Sequence, residues 1–350
     1  MIKHKFLFWA SVIAICLGAI VGFQNQIPVK TDSTQSKKNT LSYSVPDIKS
    51  NTTQNQSKNS ILDYFVPAIQ NNPIVKSIES FDFGFNSSSP VIPKTPTTTP
   101  PRTTISALAY GTYFIGSDGS SKNLLGQNLN TPLRIASITK LMTALVAVSS
   151  IDKNEVIEIS QADLVDLILN RYKVGDKLTF DQLLYSLLIE SDNNAAQAIA
   201  DHFGSAKFIE AMNSEALKLG MINTKYFNPS GLDSTDSSQD NISTVSDLTK
   251  LTQYMELKYP NIFAITALSS YKIIDSTGKL HHEAFSTDKL IDEFAVNYMV
   301  GGKTGYTGRA KQNLLILRAK NGDDGYYIDT VLSSDDRFGD MKLLISKNAN

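Results

Sequence analysis

Residues 6–23, FLFWASVIAICLGAIVGF, carry no charge and are apolar almost throughout. As a helix, eighteen residues rise about 27 Å, close to the hydrocarbon thickness of a bilayer. Such a stretch is ill suited to a water-facing surface element, so it predicts either a membrane span or an export signal. Lys3 and Lys5 precede it, and positive charge on that side predicts a cytoplasmic N-terminus. A secretory signal has a shorter apolar core and a small-x-small cleavage site. Ile20-Val21-Gly22 is a poor version of such a site, and Ile15 before Cys16 is too bulky for lipoprotein processing. An uncleaved single-pass anchor is therefore expected over a cleaved signal. Both readings carry the rest of the chain across the membrane.

Beyond residue 23 the chain divides by composition. Residues 24–104 include TTQNQSKNS and KTPTTTPPRTT, which cannot bury enough apolar surface to offset the entropy of ordering. They read as a linker, extended and semi-rigid at the Pro-Thr end. Ile61-Leu-Asp-Tyr-Phe-Val-Pro-Ala-Ile69 interrupts it as a short helix or docking segment, with a transient helix in a tether as the plainer reading. Residues 105–350 have the composition of a packed domain, long enough for a large core. Lys and Arg number 33 against 34 Asp and Glu, and that balance gives no basic face for nucleic acid. The single cysteine, Cys16, rules out an intramolecular disulfide framework and a cysteine metal site. Four histidines, two of them adjacent at His281 and His282, offer little for a metal cluster. No metal and no cofactor is expected.

Within the domain, residues 106–115 read as a strand and Ser117-Asp-Gly-Ser120 as the turn after it. Residues 137–148 read as a helix with Leu141, Leu145 and Val148 on one face. Thr179-Phe-Asp-Gln182 matches a capping box opening a helix to about Glu190. After the polar break Ser-Asp-Asn-Asn, a helix ends near Gly204, and another runs from Ser205 to Leu219, before Gly220. Thr244 caps a helix to about Lys258. Residues 312–318 and 326–333 flank Asn321-Gly-Asp-Asp-Gly325, a hairpin signal. Strands first, helices in the middle and strands last predict an α+β domain with an antiparallel sheet.

Three short elements carry chemistry. Ser137-Ile-Thr-Lys140 opens a predicted helix, so both side chains share one face. A serine hydroxyl needs a base to attack an amide, and a lysine serves only when neutral. Burial, nearby positive charge and the helix N-terminus all favour that state. Taken alone, Ser137 could equally be an N-cap beside an exposed Lys140. Ser191-Asp192-Asn193 places a hydroxyl and an amide on a turn, where they can pass a proton and hold a substrate amide. Alone, it reads better as an ordinary interhelical turn. Gly302-Lys303-Thr304-Gly305, then Tyr306-Thr-Gly308, precedes the hairpin strands. A lysine there can hold a carboxylate and keep a second lysine neutral, and the glycines let an extended peptide approach a sheet edge. The plainer reading is a glycine turn beside a surface lysine.

In order, and with 54 residues from Ser137 to Ser191 and 110 from Asn193 to Lys303, the three match the Ser-x-x-Lys, Ser-x-Asn and Lys-Thr-Gly set of penicillin-interacting serine enzymes. LRIASITKLMTALVA, LLIESDNNAAQAIA, FNPSGLD, VGGKTGYTGRA and VLSSDDRFGDMKLL resemble low-molecular-mass D-alanyl-D-alanine carboxypeptidases over residues 105–346. That resemblance implies a β-lactamase/transpeptidase-like fold, an antiparallel sheet flanked by helices with a helical subdomain. It implies Ser137 as acylated nucleophile, Lys140 as base and Ser191 as proton relay. Asn193 would hold the substrate's side, Lys303, Thr304 and Gly305 its terminal carboxylate region, and the backbone N–H groups of Ser137 and Tyr306 the oxyanion. Arg337 in Asp-Asp-Arg-Phe matches, across a gap, an arginine that also draws in the carboxylate; the plainer reading is a surface residue in a turn. The implied partners are peptidoglycan stem peptides as substrate and β-lactam antibiotics as covalent inhibitors, at the outer side of a bacterial cell membrane.

The sequence departs from the family wording at Ala310-Lys311, where Ala-Gly is usual, and at Ser230, where histidine is common. The C-terminal β domain and amphipathic helix often found in the family are not expected from residues 1–350, and the N-terminal anchor is expected to do the attaching. A β-lactamase of class A needs a Glu-x-x-x-Asn element well after the second motif. Residues 226–240 hold no glutamate, and Glu190 to Asn194 overlaps the second motif. A D,D-endopeptidase would use the same residues as a carboxypeptidase. A non-catalytic sensor or wall-binding module would not need the Ser-Lys pair.

Overall fold

A computed structural model describes residues 103–166, 168–294, 299–319 and 325–348. The expected anchor and all but the last two residues of the expected linker lie outside them, as do residues 321–324 of the predicted 321–325 turn. Among the described residues no helix is long and apolar enough to cross a membrane. They fall in a compact unit that spans residues 95–350.

The chain starts with strands β1 (Ala109–Gly116), β2 (Ser121–Gln127) and the short β3 (Leu133–Arg134). A 3-10 turn at Ala136–Ile138 then leads into helix α1 (Thr139–Val148). A small hairpin, β4 (Val156–Glu158) with β5 (Lys177–Thr179), precedes three helices, α2 (Phe180–Ile189), α3 (Asn193–Phe203) and α4 (Ser205–Lys218). Next come β6 (Ile242–Ser243), α5 (Val245–Lys258), α6 (Pro260–Thr266) and the hairpin β7 (Ser270–Ile274) and β8 (Leu280–Phe285). The short α7 (Ile291–Phe294), strands β9 (Met299–Thr307), β10 (Lys311–Ala319) and β11 (Gly325–Ser334), and helix α8 (Arg337–Ser346) complete it. The main sheet has the order β2-β1-β11-β10-β9, antiparallel at every step. The class is the expected α+β.

The uninterrupted run Leu314-Leu-Ile-Leu317 explains why β10 is an interior strand covered on both faces. Strand side chains alternate between faces, so a run without a polar gap needs cover on both. Leu314 and Ile316 pack with Val331, Met341 and Leu344, under α8. Leu315 and Leu317 face the larger core with Ile328, Leu332 and the helices. Burying each leucine contributes about 1.5–3 kcal/mol. Helix α1 departs from the one-sided pattern expected, because Thr139 through Ala147 are all buried. It runs through the middle of the helical region, packed by α2, α3 and α4.

Local signals account for most helix ends. Thr179 Oγ1 accepts the Gln182 N–H at 3.3 Å and Thr244 Oγ1 the Asp247 N–H at 3.0 Å. The capping box at Thr179 is only half formed, since Gln182 Oε1 instead accepts the Ile274 N–H of β7 at 2.8 Å. The first strand begins at Ala109 rather than residue 106, because Ser106 donates its N–H and its hydroxyl to Asp340, each at 2.8 Å. Helix α8 corrects the reading of residues after the last strand as a turn. Asp336 caps it by accepting the Gly339 N–H at 3.0 Å.

Candidate active site

Strand β9 is an edge of the main sheet, paired with β10. The Ala136–Ile138 turn rests against it, and glycine makes that approach possible. A Cβ on Gly305 would stand 2.7 Å from Ile135 O and 3.2 Å from Ser137 N. Behind the turn, Gly231 has φ +83°, and a Cβ there would stand 2.0 Å from Ala136 O. Ala136 itself takes φ +47°, an uncommon conformation for a residue with a Cβ, and such strain clusters at functional sites. Ser137 is thus within the turn rather than an N-cap, wedged between β9 and the 228–232 loop.

Lys140 follows one turn later and is wholly buried. Its Nζ lies 2.9 Å from Ser137 Oγ, 2.7 Å from Asn193 Oδ1 and 2.7 Å from the Ser230 carbonyl. Burial lowers its pKa from 10.5 to about 7, against the opposing charges of Asp192 and Asp166. Asn193 Oδ1 and Ser230 O are pure acceptors. In the neutral amine both N–H bonds go to them, which leaves the nitrogen lone pair facing Ser137 Oγ. As an ammonium, Lys140 spends its three donors on these same partners and has none for Ser191.

Asn193 is fixed from its other side, donating Nδ2–H to Asp166 Oδ2 at 2.6 Å. Asn194 in turn holds Asp166 by two bonds to its backbone, each 2.8 Å. Sequence reasoning missed Asp166; an aspartate in an apolar loop, 27 residues before Asn193, carries no local signal. Ser191 sits on the turn between α2 and α3 with φ +64°. Asp192 beside it caps α3 through the Ala195 N–H at 2.8 Å. Burial raises the Asp192 carboxyl pKa to about 6.

On β9, Lys303 and Thr304 are buried. Lys303 Nζ donates to Thr304 O at 3.2 Å, and Thr304 Oγ1 lies 2.5 Å from Thr287 Oγ1. Burial first, then the Lys140 and Arg337 charges, hold the Lys303 amine well below its ordinary value, while Asp288 opposes. Burial is the largest cause of the low Lys140 value, and the like-charge coupling between Lys303 and Lys140 acts in the direction expected from the sequence. Arg337, the first residue of α8, is half-buried and not a surface turn residue. Its Nη1 donates to the Gly305 carbonyl at 3.0 Å, its guanidinium lies 4.9 Å from the Phe338 ring centre, and its buried Nε has no partner. Tyr306, the last of the predicted positions, is exposed beside them and pairs with Gln312.

Both departures from the family wording have a structural setting. Ser230 contributes its carbonyl to Lys140, and its hydroxyl contacts Asn228 Oδ1 at 3.3 Å within its own loop. Lys311 takes φ +56°, the conformation that favours glycine. Its amine pairs with Asp335 at 2.9 Å.

Residues 96–335 match the family model described as D-alanyl-D-alanine carboxypeptidase. The chain belongs to that family. It is 32% identical over 225 residues to a D-alanyl-D-alanine endopeptidase of Pseudomonas aeruginosa, covering 61% of this chain and 68% of the relative. It is 29% identical to the D-alanyl-D-alanine carboxypeptidase DacF of Bacillus subtilis, covering 58% of this chain and 52% of that one. The chain therefore spans about half to two thirds of the length of these relatives. In three dimensions it is similar to penicillin-binding protein D2 from Listeria monocytogenes in its ampicillin-bound form. That likeness has a TM-score of 0.61 at 26% identity and covers 71% of this chain and 98% of the other. The penicillin-binding, transpeptidase-like fold of the family is thus the fold of this domain.

Proposed function

We propose that this family member is a serine D-Ala-D-Ala carboxypeptidase acting on peptidoglycan stem peptides. The observation that carries the reading is the surroundings of Lys140. Its neutral form is accessible near pH 7, and its lone pair is aimed at Ser137 Oγ by two acceptor-only partners. In this reading Ser137 Oγ attacks the carbonyl carbon of the penultimate D-alanine as Lys140 Nζ takes its proton. The backbone N–H groups of Ser137 and Tyr306 stabilise the oxyanion. The C–N bond then breaks, Ser191 relays the proton to the departing D-alanine amine, and water hydrolyses the ester. Lys303, Thr304 and Arg337 bind the terminal carboxylate beside Gly305, and Asn193 holds the substrate amide. β-Lactams acylate the same serine. Residues 6–23 anchor the enzyme in a bacterial cell membrane with the catalytic domain outside.

The Pseudomonas aeruginosa relative, an endopeptidase by name, favours a second reading in which the same residues cut crosslinks. Incubation with a cross-linked dimer and with a monomer ending in D-Ala-D-Ala separates the two. Labelling by a fluorescent penicillin followed by mass spectrometry tests the shared chemistry. The adduct is expected on Ser137 and absent in Ser137→Ala; an adduct on Ser191 would overturn the assignment. N-terminal sequencing of the membrane fraction tests the anchor, and a mature chain starting near residue 23 would remove it.

A further inference from the structure

His281 and His282 are consecutive, and neighbours on a regular strand point to opposite faces. Here the register of the β7–β8 hairpin slips between Ile273 and Ile274, so that Ile273 pairs with His282 and Ile274 with Leu280. His281 is the unpaired bulge residue, and a bulge re-aims side chains. The two rings therefore meet, with centroids 5.0 Å apart and Nδ1 to Nδ1 at 2.7 Å. At the outer ends, His281 Nε2 lies 3.0 Å from Asp176 Oδ2 and His282 Nε2 lies 2.6 Å from Glu190 Oε1. Tyr172, buried, stacks on His281 at 5.3 Å and meets His282 edge-on at 5.7 Å.

Proton counting restricts this chain of groups. Three hydrogen bonds in a row, Asp176 to His281, His281 to His282 and His282 to Glu190, need three protons. Ionised carboxylates supply none and two neutral imidazoles supply two. A third proton is needed, because two protons leave either two bare Nδ1 lone pairs meeting at 2.7 Å or one bare Nε2 lone pair against a carboxylate oxygen. The Arg171 guanidinium lies 3.5 Å from Glu190 Oε2, a cation paired with a carboxylate, so the hydrogen-bond count places the third proton on the rings. The charged or titratable groups facing the pair are Asp176, Arg171 and Tyr172 from the loop before β5, and Glu190 from the end of α2. Lys272 and Glu283 stand opposite each other in the strand register next along the hairpin.

The end of this wire is the active site. Glu190, buried and also bonded by Ser186 Oγ at 2.7 Å, immediately precedes Ser191. Ser191 holds its positive φ between the anchored side chains of Glu190 and Asp192. Just beyond the hairpin, the Thr287 N–H donates to Ile189 O at 3.2 Å, and the Thr287 hydroxyl meets Thr304 at 2.5 Å. The same segment thus touches the second and third motifs. We infer that His281 and His282 are positioning residues that share one positive charge between two imidazoles and thereby fix Glu190 and the Ser191 turn. This role rests on the proposed peptidase reading. The shared charge does not, because it derives from the hydrogen-bond geometry.

Two measurements test it. The full-length protein, labelled with 15N in its histidine rings, is observed without substrate by long-range 1H–15N correlation at pH 7. Three of the four ring nitrogens of His281 and His282 are expected to carry protons; two neutral rings would overturn the proposal. The second measurement is the kinetics of His281→Phe and His281→Asn on a D-Ala-D-Ala peptide. The phenylalanine cannot bridge, and a loss in kcat of about tenfold or more is expected with little change in KM, since a displacement of about 1 Å can cost roughly a hundredfold. Asparagine places a permanent N–H donor near the ring Nδ1 position and is expected to recover most of that loss. Equal losses in the two variants would refute the positioning role. Failure of the peptidase reading would show separately, as absence of a penicillin adduct on Ser137.

Discussion

The neutral state of Lys140 is open to direct titration. A pKa of about 7 makes half of the amine neutral at pH 7 and only about 1% at pH 5, so acylation should fall about 50-fold between them. At the ordinary 10.5 the neutral fraction at pH 7 would be about one in 3,000. The difference corresponds to about 5 kcal/mol in favour of the reactive form. Burial, the first cause of the shift, also has a cost in stability. A lysine depressed in the folded state binds fewer protons folded than unfolded between pH 7 and 10.5, so stability rises with pH across that window and is lowest below it. The assay is the rate of fluorescent-penicillin acylation of the full-length protein from pH 5 to 9. Lys140→Arg, which stays charged, should be inactive throughout. Asp166→Asn keeps an oxygen for Asn193 but removes a charge that holds the amine up, so its acid limb should move below pH 7. A rate that is flat between pH 5 and 8, or a limb near pH 10, would refute the reasoning.

Other expectations concern the frame around that pair. Gly305→Ala places a Cβ 2.7 Å from Ile135 O, and acylation should drop about a hundredfold as the Ser137 turn is pushed from β9; an unchanged rate would show that the strand can give way. Arg337→Ala should raise KM for a peptide ending in a free D-alanine carboxylate by about tenfold to a hundredfold, the equivalent of roughly 1.5–3 kcal/mol. Equal losses on the C-terminally amidated peptide would reject the carboxylate role. Asp166→Ala removes the acceptor that orients Asn193 and should lower kcat about tenfold, with Asp166→Asn retaining more activity; identical kinetics for the two would remove Asp166 from the site.

Some of this was legible because it is local. Ser137 and Lys140 are three residues apart, a spacing that one helical turn brings to a common face. Thr244 and the Gly220 stop mark helix ends by bonds and dihedrals within a few residues. The apolar runs of β10 and β11 announced a hairpin that the sheet contains. Other elements were not legible. Strand β2 is almost wholly exposed, and β7 and β8 are short with one buried residue each, so they lack the alternation that marks a half-buried strand. Helix α8 starts at a cap two residues after a strand ends, and its apolar face is small.

By itself the sequence determined the class of the domain and the order and spacing of the three motifs. Those come from backbone periods, turn chemistry and residue type, all set by near neighbours; the roles of Ser137 and Lys140 were implied only by the likeness of the whole set to a known family. Only the tertiary structure decided that Lys140 meets Asn193 and the Ser230 carbonyl, 53 and 90 residues away. It likewise decided that Asp166 orients Asn193, that Arg337 reaches Gly305, and that a strand bulge turns two adjacent histidines into one wire. A side chain's chemistry is written in its own letter. Its pKa and its partners depend on what packing removes from water around it, and that is settled by segments far away in the chain.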